Sequence, residues 1–385
     1  MKIGLSLIVI LGAAFGLLQL TNAQCPQICD DLGNTAFGAY AFQHDTTGKD
    51  NTATGVEALE FNTTGNWNTA TGFFALSANT TGGNNTATGA FALQFHTTGS
   101  NNTANGATAL FSNNGDNNTA NGANALFYNN ADNNTATGFD ALYLNTTGTN
   151  NTATGAFALQ NNSTGFQNSA DGFGALANNT IGNYNTASGH NALTFNSSGS
   201  NNTADGINTL FSNTTGYDNA ATGANALLLN TTGFYDTANG ASALYSNTTG
   251  YDDTATGVNA LLNNTTGHDN TAEGFSALQN NTTGNNNIAV GALAGSALTT
   301  GKNNIDIGNA GVAGESNKIR IGTTGTQKAT FIAGISGVTV PSGVGVIVGT
   351  DGKLGTVVSS ERFKDGIQPM DKGAQTGYLS LQAGA

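Results

Sequence analysis

NTATGAFALQNNSTGFQ, residues 151–167, is one copy of a motif that returns along most of this 385-residue chain. The glycine that closes its N-T-A-x-G part recurs every 17 residues, except for two intervals of 16 residues. Such a period is too short for a pair of helices and suits one coil of a β-solenoid, with two short strands and two turns. The sequence therefore predicts an all-β chain, folded as a parallel β-roll of about 17 coils. These anchor glycines are Gly38, Gly55, Gly72, Gly89, Gly106, Gly122, Gly138, Gly155, Gly172, Gly189, Gly206, Gly223, Gly240, Gly257, Gly274, Gly291 and Gly308.

Residues that stack at equivalent positions define the expected core. In the coil of residues 151–167, we expect Ala153 and Leu159 inside and Gly155 at a corner. Asn162 is expected in a ladder of side-chain amides that hydrogen-bond from coil to coil, as identical stacked residues do in cross-β arrays. One leucine and two alanines per coil make a thin core, so each coil depends on its neighbours for burial.

Composition excludes several classes of protein. Charged residues make up 9% of the chain, which has 54 glycines and 3 prolines. Disordered chains are typically richer in proline and charge, so this composition fits stacked repeats better. The net charge of −13 is spread along the chain without a basic patch, which excludes nucleic acid as a partner.

The repeats contain no residue set with the spacing of a catalytic, cofactor or metal site. The histidines lie many coils apart, and the Asn-rich turns lack the G-G-x-G-x-D spacing of calcium-binding repeats. The glycine-rich turns lack the G-K-[ST] of a phosphate loop. We therefore expect no cofactor and no metal. The histidines are His44, His96, His190 and His268.

The N-terminus indicates export. An apolar run over residues 3–20 is followed by Thr21-Asn22-Ala23, which is typical of a secretory signal peptide cleaved after Ala23. A retained membrane anchor is the alternative, because the run is close to the ~20 residues that span a bilayer. After signal cleavage we expect a secreted or cell-surface protein with no membrane segment. Cys25 and Cys29 are then predicted to form a disulfide, within their loop or between chains.

The last repeats resemble a known family. Residues 287–291 (NIAVG), 304–308 (NIDIG) and 318–322 (KIRIG) are similar to the N-S-V-A-I-G repeat of trimeric autotransporter adhesin heads. This resemblance implies a left-handed parallel β-roll and a homotrimer. Asp306 and Arg320 occupy positions where a thin core has no room for charge, so we expect the roll to end or invert there.

An argument from strand geometry points to lateral association in the same region. Side chains on either side of a buried strand residue point to the opposite face of the sheet. Isoleucine and valine replace threonine at these flanking positions, and an exposed apolar stripe of this kind needs a covering partner. The four residues are Ile288, Val290, Ile305 and Ile307.

A second resemblance lies close to the C-terminus. The run SSERFKDGI over residues 359–367 resembles the start of the endosialidase-type intramolecular chaperone domain of phage tail fibres. The resemblance implies Ser359 as a self-cleaving nucleophile and Lys364 as its base, since a hydroxyl needs a nearby neutral amine. The family's domain continues far beyond the residues present here. We therefore expect a truncated domain start that is not cleaved.

These observations give the predicted organisation and function. The expected segments are a signal peptide (1–23), a cap with the cysteine pair (24–33), the solenoid (34–308), a β-rich neck with an Asp-Gly turn (309–358) and the chaperone-like start (359–385). The predicted function is a structural or adhesive fibre whose partner is itself, with surface glycans or another cell as further targets. The alternatives are an end-to-end filament subunit, a self-cleaving tail-fibre-like protein and an ice-binding solenoid with Thr-x-Thr pairs such as Thr152/Thr154.

Two surface features stay open at this level. Aromatic residues recur just after the leucine column, and they serve either chain-to-chain packing or the stacking of carbohydrate. Glycosylation sequons are frequent, and a glycosylating host is expected to coat the turns. The aromatic residues are Phe61, Phe95, Phe111, Phe127, Tyr143, Phe195, Phe211 and Tyr245; the sequons include Asn62, Asn79, Asn84, Asn145, Asn213, Asn230 and Asn247.

Overall fold

The computed structural model describes residues 27–333 and 346–356, with the backbone alone for Gln27 and Ile28. Every regular element in these ranges is a β-strand, and strands one coil apart pair in parallel. The predicted all-β solenoid is therefore confirmed, and its left-handedness stays a prediction. The chain divides into two compact units, Met1–Gly322 and Thr323–Ala385.

The strands are β1 (Gln27–Cys29), β2 (Thr35–Phe37), β3 (Thr52–Thr54), β4 (Thr69–Thr71), β5 (Thr86–Thr88), β6 (Thr103–Asn105), β7 (Ser112–Asn113), β8 (Thr119–Asn121), β9 (Tyr128–Asn129), β10 (Thr135–Thr137), β11 (Thr152–Thr154), β12 (Ser169–Asp171), β13 (Thr186–Ser188), β14 (Thr203–Asp205), β15 (Ala220–Thr222), β16 (Thr237–Asn239), β17 (Thr254–Thr256), β18 (Thr271–Glu273), β19 (Ile288–Val290), β20 (Ile305–Ile307), β21 (Ile319–Ile321), β22 (Val346–Val348) and β23 (Leu354–Thr356).

Each three-residue strand that ends one residue before an anchor glycine lies directly on the equivalent strand of the next coil. Ala153 of β11 pairs with Ala136 of β10 and with Ala170 of β12. The central alanine is buried and both flanking residues are exposed, because successive side chains of a strand point to opposite faces. At about 4.8 Å per strand, the parallel stack from β2 to β21 is roughly 80 Å long.

The half of the coil that follows the anchor glycine differs from the prediction. In the 17-residue coils it is a series of turns rather than a second strand. Phe157 and Leu159 have φ values of +62° and +50°, in the left-handed region that curls the backbone. Their N–H groups still bond to neighbouring coils: Phe157 donates to Phe139 O and Leu159 to Ala175 O, both at 2.9 Å. These bonds offset the cost of the left-handed conformation, which is about 1–2 kcal/mol for each residue other than glycine.

Among the described coils, those with 16 residues have a short second strand. β7 and β9 pair in parallel, with Ser112 opposite Tyr128 and Asn113 opposite Asn129. Both coils lack one residue of the turn that follows. The sheet of three-residue strands continues in register across them, since Ala104, Ala120 and Ala136 stay paired. A solenoid therefore absorbs a deletion in this turn.

The core is a narrow column of small side chains. In the coil of residues 151–167, Ala153, Ala158 and Leu159 have no exposed surface, and the equivalent residues of other coils are buried in the same way. The carboxamides of two asparagine columns fill the rest of the interior. Apolar burial per coil is small, so the polar columns must be satisfied for the stack to be stable.

The first column is the strand ladder, formed by the residue four positions before each anchor glycine. Asn168 N–H donates to Asn151 Oδ1 at 3.0 Å, and Asn151 Nδ2 donates to Gly165 O at 2.9 Å. The backbone bond to the preceding Oδ1 is present at every step from Asn51 to Lys318. The strand ladder is therefore unbroken along the stack.

The second column is the turn ladder, formed by the residue seven positions after each anchor glycine. Asn162 Nδ2 donates to Asn145 Oδ1 at 2.7 Å and to Gly165 O at 2.8 Å. Asn162 Oδ1 in turn accepts from Asn179 Nδ2 at 2.7 Å. The carbonyl of Gly165 thus receives one amide from each ladder, and this pair of bonds closes the coil.

The two ends of the stack differ. β1 pairs antiparallel with β2, so the first strand of the parallel sheet has a partner on both sides. At the other end β21 pairs with β20 in parallel. The sheet therefore continues past residue 308, where the predicted solenoid boundary was placed too early. In the second unit, β22 and β23 form an antiparallel hairpin whose loop contains the predicted Asp351-Gly352 turn.

The anchor glycine makes the coil sensitive to a single methyl group. Gly155 has φ of +126°, and a Cβ there lies 2.5 Å from Gly172 O of the next coil. We expect Gly155→Ala to lower the free energy of unfolding by about 3 kcal/mol or more, from backbone strain and coil separation. Urea unfolding followed by far-UV circular dichroism measures this loss. Gly83→Ala is the control, since other coils carry side chains at its position; equal losses in both variants would contradict the prediction.

Candidate functional surfaces

Several predicted site residues lie outside the described residues. Cys25, Ser359 and Lys364 are among them, and so is the predicted signal peptide. Cys29 is exposed on β1, and its pairing with Cys25 stays a prediction. Within residues 27–333 and 346–356, no group of three or more His, Cys, Asp or Glu residues is placed to hold a metal ion. The same ranges hold no helix of the length and apolarity that a membrane crossing requires.

The sheet face consists of the residues one and three positions before each anchor glycine. Their side chains form two exposed columns on the parallel sheet, such as Thr152 and Thr154 of β11. The first column is threonine in every coil from Thr35 to Thr152. The second column is mixed and carries carboxylates further along the stack, at Asp171, Asp205 and Glu273. Ice binding by this face stays a prediction.

The aromatic face is a second surface, formed by the half of the coil that follows the anchor glycine. It consists of the first, second, fifth and sixth residues after each anchor glycine. Side chains from the two pairs of positions meet, since Gln160 Nε2 lies 3.4 Å from Asp140 Oδ2 of the preceding coil. Phe95, Phe173 and Phe275 are about half exposed on this face. The predicted aromatic column is therefore one part of a wider apolar surface.

Aromatic rings on this face contact one another from coil to coil. Phe111 and Phe127 stack with ring centroids 4.6 Å apart, and Phe127 stacks on Tyr143 at 5.1 Å. Phe95 meets the edge of Phe111 at 5.0 Å. Each contact is worth about 0.5–1.5 kcal/mol beyond the area it buries. The rings thus support the stack and leave their outer edges exposed.

A separate aromatic stack lies at the corner between the two ladders. Tyr217, Phe234, Tyr251 and His268 are nearly parallel, with centroids 4.6–5.0 Å apart. A sugar ring stacks on the open face of an aromatic ring. The faces of the inner rings in this column are covered by their neighbours. The column is therefore built for packing along the stack rather than for binding saccharides.

The turn sequons are buried. Asn145 has no exposed surface, and its Nδ2 donates both to Asn129 Oδ1 at 2.7 Å and to Gly148 O at 2.8 Å. A glycan on Nδ2 replaces one of these two hydrogens and has no space inside the coil. The expectation that glycans coat these turns is therefore wrong for the turn ladder. Asn62, Asn79, Asn213, Asn230 and Asn247 are buried in the same column.

This burial predicts which sequons are modified in a host that N-glycosylates. We expect folded, soluble protein to carry a glycan at the exposed Asn84 and none at Asn145. Glycopeptide mass spectrometry of the folded fraction measures both sites in one sample. A glycan at Asn145 in protein with an unaltered circular dichroism spectrum would contradict the buried ladder.

His96 interrupts the turn ladder. Its buried ring lies between two backbone carbonyls, with Nε2 2.6 Å from Gly99 O and Nδ1 2.7 Å from Asn113 O. Burial lowers the pKa of His96, although both carbonyl contacts favour the protonated form. A neutral ring donates to one carbonyl only. Asn79 Oδ1 is left buried without a hydrogen-bond partner, so the turn ladder is weaker here.

Two buried carboxyl groups replace amides in the strand ladder of consecutive coils, Asp236 and Asp253. Asp236 Oδ1 accepts the next backbone N–H at 3.0 Å, as an asparagine does. Asp236 Oδ2 lies where an asparagine of this ladder has its Nδ2 donor. It accepts a hydrogen bond from Asn247 Nδ2 at 2.9 Å. The bond from Asn247 to Asn230 is then 3.2 Å, against 2.8 Å for the preceding step of the turn ladder.

Both carboxyl groups favour the protonated form. Burial raises the pKa of Asp253 to about 8. Burial, together with the neighbouring Asp253 carboxylate, raises the pKa of Asp236 well above its usual range. A protonated carboxyl group has a hydrogen to donate, as the asparagine amide has in other coils.

These shifts predict a stability that depends on pH. The folded state holds the two protons more tightly than the unfolded chain, so their stabilisation is complete below about pH 4 and is lost as the pH rises towards 8. We expect the Asp236→Asn/Asp253→Asn variant to be more stable than wild type at pH 9, by on the order of a few kcal/mol, and similar to it at pH 4. Urea unfolding at both pH values measures the difference. The same difference at pH 4 and pH 9 would show that neither group titrates in this range.

The C-terminal coils carry an aliphatic patch on the sheet face. Ile288 and Ile307 are about two-fifths exposed, and Ile319 and Ile321 expose 70% and 72%. Val290 and Ile305 are half-buried beside them. The predicted outward orientation of these residues agrees with the structure. The patch occupies columns that are polar in the preceding coils, apart from Phe37 and Ala220.

The expectation that charge ends or inverts the roll at Asp306 is wrong. Asp306 has no exposed surface and occupies the core position of the alanines, and β21 pairs beyond it. Burial raises the pKa of Asp306 to about 6, with Glu315 adding to the shift and Arg320 opposing it. Arg320 is half exposed and pairs with Glu315 through Nε at 2.8 Å. Burial thus favours the neutral form of Asp306, whereas Arg320 keeps its charge in an ion pair with Glu315.

Comparison with protein-family models, with curated proteins and with solved structures finds no match to this chain. The similarity to adhesin heads and to the chaperone domain therefore stays a prediction from short motifs. Arguments about function depend on the geometry of the solenoid and its faces.

Proposed function

We propose that this protein is an exported structural or adhesive fibre that acts at the cell surface or outside the cell. The apolar N-terminal run followed by Thr21-Asn22-Ala23 supports export. The solenoid of the first unit supplies the shaft. Its large faces suit self-association, as the proposed homotrimer requires, and further contact with surface glycans or another cell.

The observation that carries this proposal is the continuity of the strand ladder. The same bond recurs at each step from Asn51 to Lys318, so the length of the shaft is set by the number of coils. Small-molecule sites are normally concave pockets in which a few polar groups converge. A stack of near-identical coils instead forms long surfaces on which the same side chains repeat.

Two alternatives receive less support. End-to-end stacking through open strand edges suits a sheet with unpaired ends, and β1 already covers the N-terminal edge of β2. Self-cleavage depends on Ser359 and Lys364, which lie outside the described residues. End-to-end stacking and self-cleavage both stay predictions, and the geometry favours the fibre hypothesis.

The proposal predicts that particle length follows coil number. Deletion of residues 156–257 removes six 17-residue coils and joins Gly155 to Val258, so the pattern stays in phase. We expect rods in cryo-electron microscopy class averages, shorter than wild type by about 29 Å at ~4.8 Å per coil. The matched control is a deletion of 94 residues, 156–249, which breaks the phase. Compact particles, or an unchanged length after the in-phase deletion, would contradict a fibre.

A further inference from the structure

The aromatic face is continuous along the solenoid. Every coil from the one that begins at Gly38 to the one that begins at Gly291 places at least one large apolar side chain on it. Phe95, Phe173 and Phe275 expose 51%, 49% and 54% of their surface. Between Thr52 and Glu273 the sheet face carries no large apolar residue. The aromatic face is therefore far more apolar than the sheet face, and the other exposed apolar side chains, such as Trp67 and Tyr235, lie at the corner.

The exposed carboxylates of the solenoid are spread over three surfaces. On the aromatic face the carboxylates are Glu57, Glu60 and Asp140, and no lysine or arginine lies there. The other exposed acids of the solenoid lie on the sheet face and at the corner that precedes the strand ladder, as Asp171 and Asp218 do. The sheet face carries three exposed carboxylates, Asp171, Asp205 and Glu273, and the corner carries six. Approach of two copies through the aromatic face therefore brings fewer like charges together than approach through the corner does.

The size of the aromatic face suits a stable interface. Sixteen coils at ~4.8 Å give a strip of roughly 77 Å, and with a width of about 12 Å its area is on the order of 900 Å². Stable interfaces bury about 800 Å² per partner. The strip therefore has the area of such an interface, with at least one large apolar side chain per coil set among smaller and polar residues.

The regular spacing of the aromatic face along the stack indicates what kind of partner fits it. Side chains on the aromatic face recur at the spacing of the strands, coil after coil, for the whole length of the stack. A second copy of the chain has the same spacing over the same length, so contacts made in one coil repeat in the next. We propose that the aromatic face is the surface on which a second copy of this chain packs, along the length of the solenoid. This inference rests on the proposed fibre function and assigns its lateral contact.

The chain itself supplies substitutions that other coils already accommodate. Serine and alanine already occupy the equivalent positions elsewhere, as Ser77 and Ala156 do. The test variant is Phe111→Ser/Phe127→Ser/Phe139→Ala/Phe173→Ala. The control changes the sheet face by Thr135→Ser/Thr137→Ser/Thr152→Ser/Thr154→Ser, for which Ser169 and Ser188 are the precedents.

Light scattering of the full chain at tens of micromolar measures the mass. We expect wild type and the sheet-face control to contain two or more chains and the aromatic-face variant to have the mass of a single chain. Circular dichroism checks that all three are folded. An aromatic-face variant that is folded and keeps the wild-type mass overturns the proposal, and so does a single-chain wild type. Rods whose length still follows coil number leave the fibre function standing in either case.

Photo-crosslinking decides the question if the quadruple variant fails to fold. Benzoylphenylalanine at position 139 lies on the aromatic face, and at position 137 it lies on the sheet face, on either side of Gly138. We expect chain-to-chain products from position 139 and at least a tenfold lower yield from position 137. Equal yields, or products from position 137 alone, overturn the assignment of the face.

Discussion

The strand ladder is the interaction on which the rest of the structure depends. In all but two of the coils from Asn34 to Asn304, one carboxamide accepts the backbone N–H of the next coil and donates to a turn carbonyl, as Asn151 does with Asn168 and Gly165. A buried amide without partners costs about 1–3 kcal/mol, so a break is expensive in a core this thin. The short, neutral carboxamide of asparagine both donates and accepts hydrogen bonds. This explains why asparagine is so frequent in a structure that buries little apolar surface.

A few coils have another residue in place of the ladder asparagine, and they show what each hydrogen bond of the ladders contributes. Asp236 keeps the acceptor and loses the donor, and Asn247 moves to compensate. His96 fills the turn column with a ring and leaves the amide of Asn79 incompletely paired. At the C-terminal end Leu298 takes the place of the turn asparagine, and Asn281 Oδ1 is left without a partner. Each exception is tolerated because the strand ladder continues beside it.

Much of this fold could be predicted from the period and the columns, because stacking makes equivalent residues share one environment. Ala153 and Leu159 repeat at fixed positions, and a residue that is invariant in type along a stack has one orientation. The sequence pattern does not predict the strand ladder, because asparagine at Asn151 is typical of a turn rather than of a buried core position. The curled second half was missed as well: A-L alternation resembles a strand, and a positive φ at leucine has no local sequence signal. The aromatic residues indicated a surface but no partner for it, because one chain's sequence does not show what another molecule contacts.

Both ladders also have a direction. At each step of the strand ladder from Asn51 onwards, the hydrogen belongs to the later coil and the acceptor oxygen to the earlier one. The turn ladder has the same direction from Asn62 onwards, except where His96 and Leu298 interrupt it. Some backbone bonds of the curled half run the other way, since Leu159 N–H donates to Ala175 O of the next coil. Each coil therefore offers ladder acceptors and backbone donors to the coil that follows it. The two ends of the stack are chemically different as a result, and β1 covers the N-terminal one.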